Sequence, residues 1–121
     1  MKCSRVSSSF LAIPLIEGIS NETEYVITEL IDFNKAIGAA LEFAKRDGET
    51  LVIVTADHET GGFTLASEEG NYNKIEGTFS TTGHSATMVP VFAYGPGAER
   101  FGGIYENTEI YHHMMALLTK E

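Results

Sequence analysis

An acid, an imidazole and a second acid stand side by side at Asp57-His58-Glu59, and another imidazole follows at His84. Carboxylate and neutral imidazole are both ligands for zinc and similar borderline ions. The pair Asp57-His58 taken alone admits two readings. It can be a metal-ligand pair awaiting further donors, or a turn with a satisfied histidine. The second is the commoner fate of such a dipeptide, and Glu59-Thr60-Gly61-Gly62 is good turn chemistry. What favours metal is Ser80-Thr81-Thr82-Gly83-His84-Ser85, a small polar loop that delivers the second imidazole.

The elements around these residues give them a place. Leu51–Val54 is a short apolar run rich in β-branched residues, which predicts a strand buried on both faces. Ligands of open α/β sheets bind beyond the carboxyl ends of strands, and that is where Asp57 and His58 fall. Upstream, Val26, Leu30, Phe33, Ile37, Leu41 and Ala44 recur at helical spacing. Asn21 and Glu24 have capping-box spacing, Lys45 and Arg46 suit the last turn, and Gly48 is a stop. One helix is expected over about 22–46, with its apolar stripe serving as core.

Phe10–Ile16 reads as a strand, demoted to an edge or divided by Pro14, which lacks an amide donor. Strand, helix and strand make a βαβ unit, and its two strands should run parallel with a right-handed crossover. Phe63-Thr64-Leu65 looks like a short strand. The polar stretch 67–74 reads as a turn or exposed loop, and 75–80 as the returning arm of a hairpin. A strand is expected near 90–94, a tight turn at Gly95-Pro96-Gly97, and a final helix at about 108–119. His112 and His113 lie in that helix with no carboxylate at ligand spacing, so they read as structural or solvent-facing. The polar, serine-rich residues 1–9 read as a loose end or foreign leader.

Bulk properties set limits. At 121 residues the chain is expected to form a single domain, and 43% hydrophobic with 21% charged residues is an ordinary globular composition. A formal net charge of −9 argues against nucleic acid as a partner, because phosphates would be repelled. The same excess of acid disfavours an anionic substrate unless bound cations reverse the local field. Cys3 is the lone cysteine, so no intrachain disulfide can form and the compartment stays undecided. No apolar run approaches the ~20 residues needed to span a bilayer, so no membrane role is expected, and no signal peptide is read.

Several ordered segments resemble one family. Thr55–Gly62, Thr82-Gly83-His84, Val89–Ala98, Glu17-Gly18 and Ala39–Lys45 resemble the C-terminal part of alkaline phosphatases. The resemblance implies an α/β fold: part of a three-layer α/β/α sheet with a βαβ unit, a small hairpin and a C-terminal helix. It implies a phosphate monoester as substrate, hydrolysed through a phosphoserine with two zinc ions and one magnesium. By resemblance Asp57 and His58 bind the zinc that activates the serine. His84 binds the zinc that activates water, and Glu17 belongs to magnesium. The family is typically periplasmic or extracellular.

The chain departs from that pattern. The family's serine nucleophile, its neighbouring metal-binding Asp and its phosphate-binding Arg have no counterpart here. Ser7, Ser8 and Ser9 lie in no matching motif, and Arg5, Arg46 and Arg100 match no clamp. The Asp and His that complete the water-activating zinc site also lack counterparts, since Gly18 passes almost directly into the helix. The expectation is therefore a piece of a metal-dependent phosphomonoesterase with part of its ligands and little or no activity alone. The alternative is a non-catalytic metal-binding or oligomerising module of the same fold. A truncated sheet exposes a strand edge, which favours a homo-oligomer.

Overall fold

A computed structural model of the chain describes residues 23–119. The expected strand 10–16, the leader 1–9 and Glu17 lie outside the described residues. Those described divide into two compact units, one made of 35–57 with 90–119 and the other of 23–34 with 58–89. The helix α1, Thr23–Asp47, contributes to both.

Helix α1 matches its predicted span to within a residue. Glu24 in the first turn and Lys45 and Arg46 in the last complement the helix dipole. Beyond the C-terminus, Asp47 Oδ2 accepts from Thr50 Oγ1 at 2.6 Å and from the Glu49 amide at 3.3 Å, which turns the chain toward the strand. Of the predicted stripe, Ala44 is buried and Val26, Phe33, Ile37 and Leu41 are half-buried, but Leu30 is exposed.

In the first unit, β1 (Val52–Val54) follows α1 and pairs antiparallel with the strand Phe92–Tyr94, with Ile53 opposite Ala93. The expectation of a strand buried on both faces is corrected, because Val52, Ile53 and Val54 are all half-buried. Among the described residues β1 has this single neighbouring strand, and a two-stranded ribbon leaves much of each face open. The parallel partner of the expected βαβ unit falls outside the described residues. A 3₁₀ turn at Ala98–Phe101 precedes the terminal helix, Glu109–Thr119. The unit's buried apolar side chains are Ala44 and Phe101. His113 sets its ring edge-on to Phe101 and to Tyr105, with centroids 5.5 and 5.2 Å away, and the Tyr105 hydroxyl donates to the Phe101 carbonyl at 3.0 Å. His113 is thus a packing residue.

In the second unit, β2 (Thr64–Glu68) and β3 (Asn71–Thr78) form an antiparallel hairpin, Thr64 opposite Thr78 and Leu65 opposite Gly77. The polar stretch 67–74 is mostly strand rather than loop, and the connection shrinks to Glu69-Gly70. Gly70 supplies the φ of 78° that so short a turn demands, and the register shift at Ser67/Glu68 absorbs the mismatch. Polarity misled here because the strand is exposed: Lys74 pairs with Glu68 at 2.6 Å and the Thr64 and Thr78 hydroxyls meet at 2.8 Å. The remaining strand, Phe92–Tyr94, is β4, and the terminal helix is α2. The molecule is mixed α/β, as expected.

Candidate metal site

The site is built from the two segments that flank the hairpin. Phe63 and Phe79, the residues just outside the paired strands, set their rings 4.9 Å apart. That contact brings the segment before β2 alongside the segment after β3. Backbone bonds then stitch the two together. The Gly61 amide donates to the Gly83 carbonyl at 2.8 Å, and the Gly61 carbonyl accepts from the amides of Ser80 at 2.8 Å and Thr81 at 3.1 Å. Gly62 must be glycine for two reasons. Its φ is 61°, and a Cβ there would collide with the Ser80 hydroxyl.

The outcome is that His58 and His84 face each other, with ring centroids 3.7 Å apart and planes inclined by 35°. Both residues are exposed. His58 Nδ1 lies 2.9 Å from the Glu59 carbonyl. A carbonyl only accepts, so this bond puts a proton on Nδ1, and in the neutral ring the lone pair is then on Nε2. Metal-binding histidines are commonly oriented in this way, by a backbone carbonyl on the nitrogen that does not bind the metal.

Glu59 received no role from the sequence, yet it joins the two segments. Its Oε2 accepts from the Ser85 amide at 2.9 Å and its Oε1 from the Phe63 amide at 3.2 Å. Ser85, first through its hydroxyl, holds the Glu59 carboxyl below its ordinary value. The amides of Ser85, Gly62 and Phe63 add to this, and partial desolvation opposes it. The one sequence signal for Glu59 was its place between His58 and the two glycines.

Asp57 stands in the other unit, exposed, just beyond the end of β1. Thr55, a residue with no chemical role in the sequence reading, prolongs the β1–β4 contact by donating to the Pro90 carbonyl at 3.2 Å. Among the described residues no group of three or more His, Cys, Asp or Glu side chains is gathered in a way that could hold a metal ion. Imidazole is a donor type that zinc accepts, but among the described residues the usual count of three protein ligands is not reached here. Among the described residues, too, no helix is long and apolar enough to cross a membrane.

Known proteins share this arrangement of elements. The alkaline phosphatase family model matches residues 17–78 and 67–120. Alkaline phosphatase 4 of Bacillus subtilis (strain 168) is 31% identical over 74% of this chain and 34% of its own length. Alkaline phosphatase H of Pseudomonas aeruginosa (strain UCBPP-PA14) is 39% identical over 70% of this chain and 21% of its own. Among solved structures, the alkaline phosphatase of the Antarctic bacterium TAB5 is 59% identical over 86% of this chain, with a TM-score of 0.80. A variant of that enzyme, solved with magnesium in its M3 site, is 56% identical over 88% of this chain at the same TM-score. This chain spans about a third of the length of those two structures, 32% and 33%. Matched by the family model over most of its length and by a close structural likeness, the chain belongs to the alkaline phosphatase family.

Proposed function

We propose that this chain supplies part of the metal-binding face of a phosphate monoester hydrolase and has little or no turnover as an isolated polypeptide. The observation that carries this reading is the imidazole pair, with His58 oriented through Nδ1 so that Nε2 is the donor. In the proposed assignment Asp57 and His58 serve one zinc, His84 the other, and Glu17 a magnesium. Bound zinc would polarise phosphoryl oxygens and lower the pKa of its water. The chain's own contribution is to hold the donors. The Glu59 carbonyl fixes the His58 tautomer, and the paired backbone bonds at Gly61 keep the two histidine segments together.

Phosphoryl transfer depends on positioning and charge stabilisation, and remaining ligands cannot replace a missing nucleophile and cationic clamp. The low turnover follows from that. The test is hydrolysis of a chromogenic phosphate ester in zinc and magnesium, with and without the N-terminal portion of a related alkaline phosphatase. Negligible rate alone and a rate restored by the added portion are expected. Robust turnover by the chain alone would refute the claim of incompleteness.

A further inference from the structure

We propose that Glu59 is the positioning residue of the imidazole pair, its carboxylate clasping the two histidine segments so that His58 and His84 are aligned before any metal arrives. Glu59 immediately follows His58, and Ser85 immediately follows His84. The 2.9 Å bond from the Ser85 amide to Glu59 Oε2 therefore joins the residue after one imidazole to the residue after the other. The opposite oxygen takes the Phe63 amide, so the carboxylate is anchored from both sides and cannot swing away while both bonds hold.

The backbone bonds at Gly61 also join these segments, reaching from Ser80 and Thr81 to Gly83, the residue just before His84. They act as a hinge. A hinge sets the approach of two segments and leaves their relative rotation open. The carboxylate adds a bond on the other side of His84, at Ser85, so that His84 is held at both of its chain neighbours and that rotation is fixed. A carboxylate suits the position because it is an acceptor on both oxygens, and bonds to a charged acceptor are shorter and stronger than neutral ones. The purpose of the clasp, a pre-aligned donor pair, rests on the reading of these histidines as metal donors, whereas its geometry does not.

The experiment is solution NMR of the full chain without metal, recording cross-ring NOEs between His58 and His84. Contacts across Thr64–Thr78 and Phe63–Phe79 serve as the internal standard for the hairpin. The wild type is expected to show cross-ring NOEs. Glu59→Ala is expected to lose them while the hairpin contacts stay. Glu59→Gln, which keeps one carbonyl acceptor but turns its amide toward one of the two N–H donors, is expected to weaken them.

Wild-type cross-ring intensity in Glu59→Ala, or no cross-ring NOE in the wild type, overturns the proposal. Should Glu59→Ala also lose the hairpin contacts, Glu59→Gln decides: an intact hairpin with weakened cross-ring NOEs supports the clasp, and unchanged NOEs overturn it. Zinc titration of the same samples separates the two ideas. Intact clasp signals with no zinc binding would remove the metal reading and leave the positioning role standing.

Discussion

At the scale of single residues, neighbouring side chains of similar type do quite different work. His58 and His84 meet ring to ring in an exposed place, whereas His113 is held edge-on between Phe101 and Tyr105 as part of the packing. The sequence separated these roles because Asp57-His58 and His84 follow strands, while His112 and His113 sit inside a helical pattern. It did not separate Glu59 from an ordinary turn acid, since a carboxylate that takes amides from residues four and twenty-six positions away has no local signature. Thr55 offers a complementary prediction. Its hydroxyl donates to the Pro90 carbonyl, so Thr55→Val should cost about 0.5–1.5 kcal/mol in urea unfolding. Zinc affinity should be unchanged, and a variant that loses zinc binding would give Thr55 a role beyond holding β1 and β4 together.

At the scale of elements, the hairpin is what makes two distant loops neighbours. Its length was underestimated from sequence because Asn71, Asn73 and Lys74 are polar, and an exposed strand carries no alternation to reveal it. Helix α1, by contrast, was legible almost to the residue, since its stripe, its terminal charges and Gly48 all agree. Register between β2 and β3 in turn decides whether Gly61 faces Gly83. Gly62→Ala should therefore damage the site more than the hairpin. A positive φ costs a non-glycine residue roughly 1–2 kcal/mol, and the added methyl meets the Ser80 side chain. A lower melting temperature together with disturbed His58 and His84 resonances is expected; a variant indistinguishable from wild type would show that the turn is not tight. In the other unit, Phe101→Ala should cost roughly 3–5 kcal/mol, read by denaturant titration, because Phe101 is 4% exposed.

At the scale of the molecule, few apolar side chains are fully covered. Among the described residues Ala44 and Phe101 are the buried ones, while Leu65, Tyr72, Ile75, Met88, Phe92 and Ile104 are all well exposed. Exposed apolar surface on this scale favours association. The chain alone is expected to sediment above its 13.2 kDa monomer mass at micromolar concentration, and a purely monomeric boundary would contradict that. The sequence carried the family from ordered motifs and the mixed α/β class from element order. It could not convey how openly β1 would sit, because burial is a property of neighbours rather than of the strand's own residues.

His58 and His84 are proposed as metal donors that the hairpin brings together. The most direct measurement is calorimetric zinc titration of the wild type beside His58→Ala, His84→Ala and, as a control, His112→Ala. Wild-type affinity is expected in His112→Ala, and a loss of at least about tenfold, or 1.4 kcal/mol, in each of the other two. Equal zinc affinity in all four proteins would contradict the proposal.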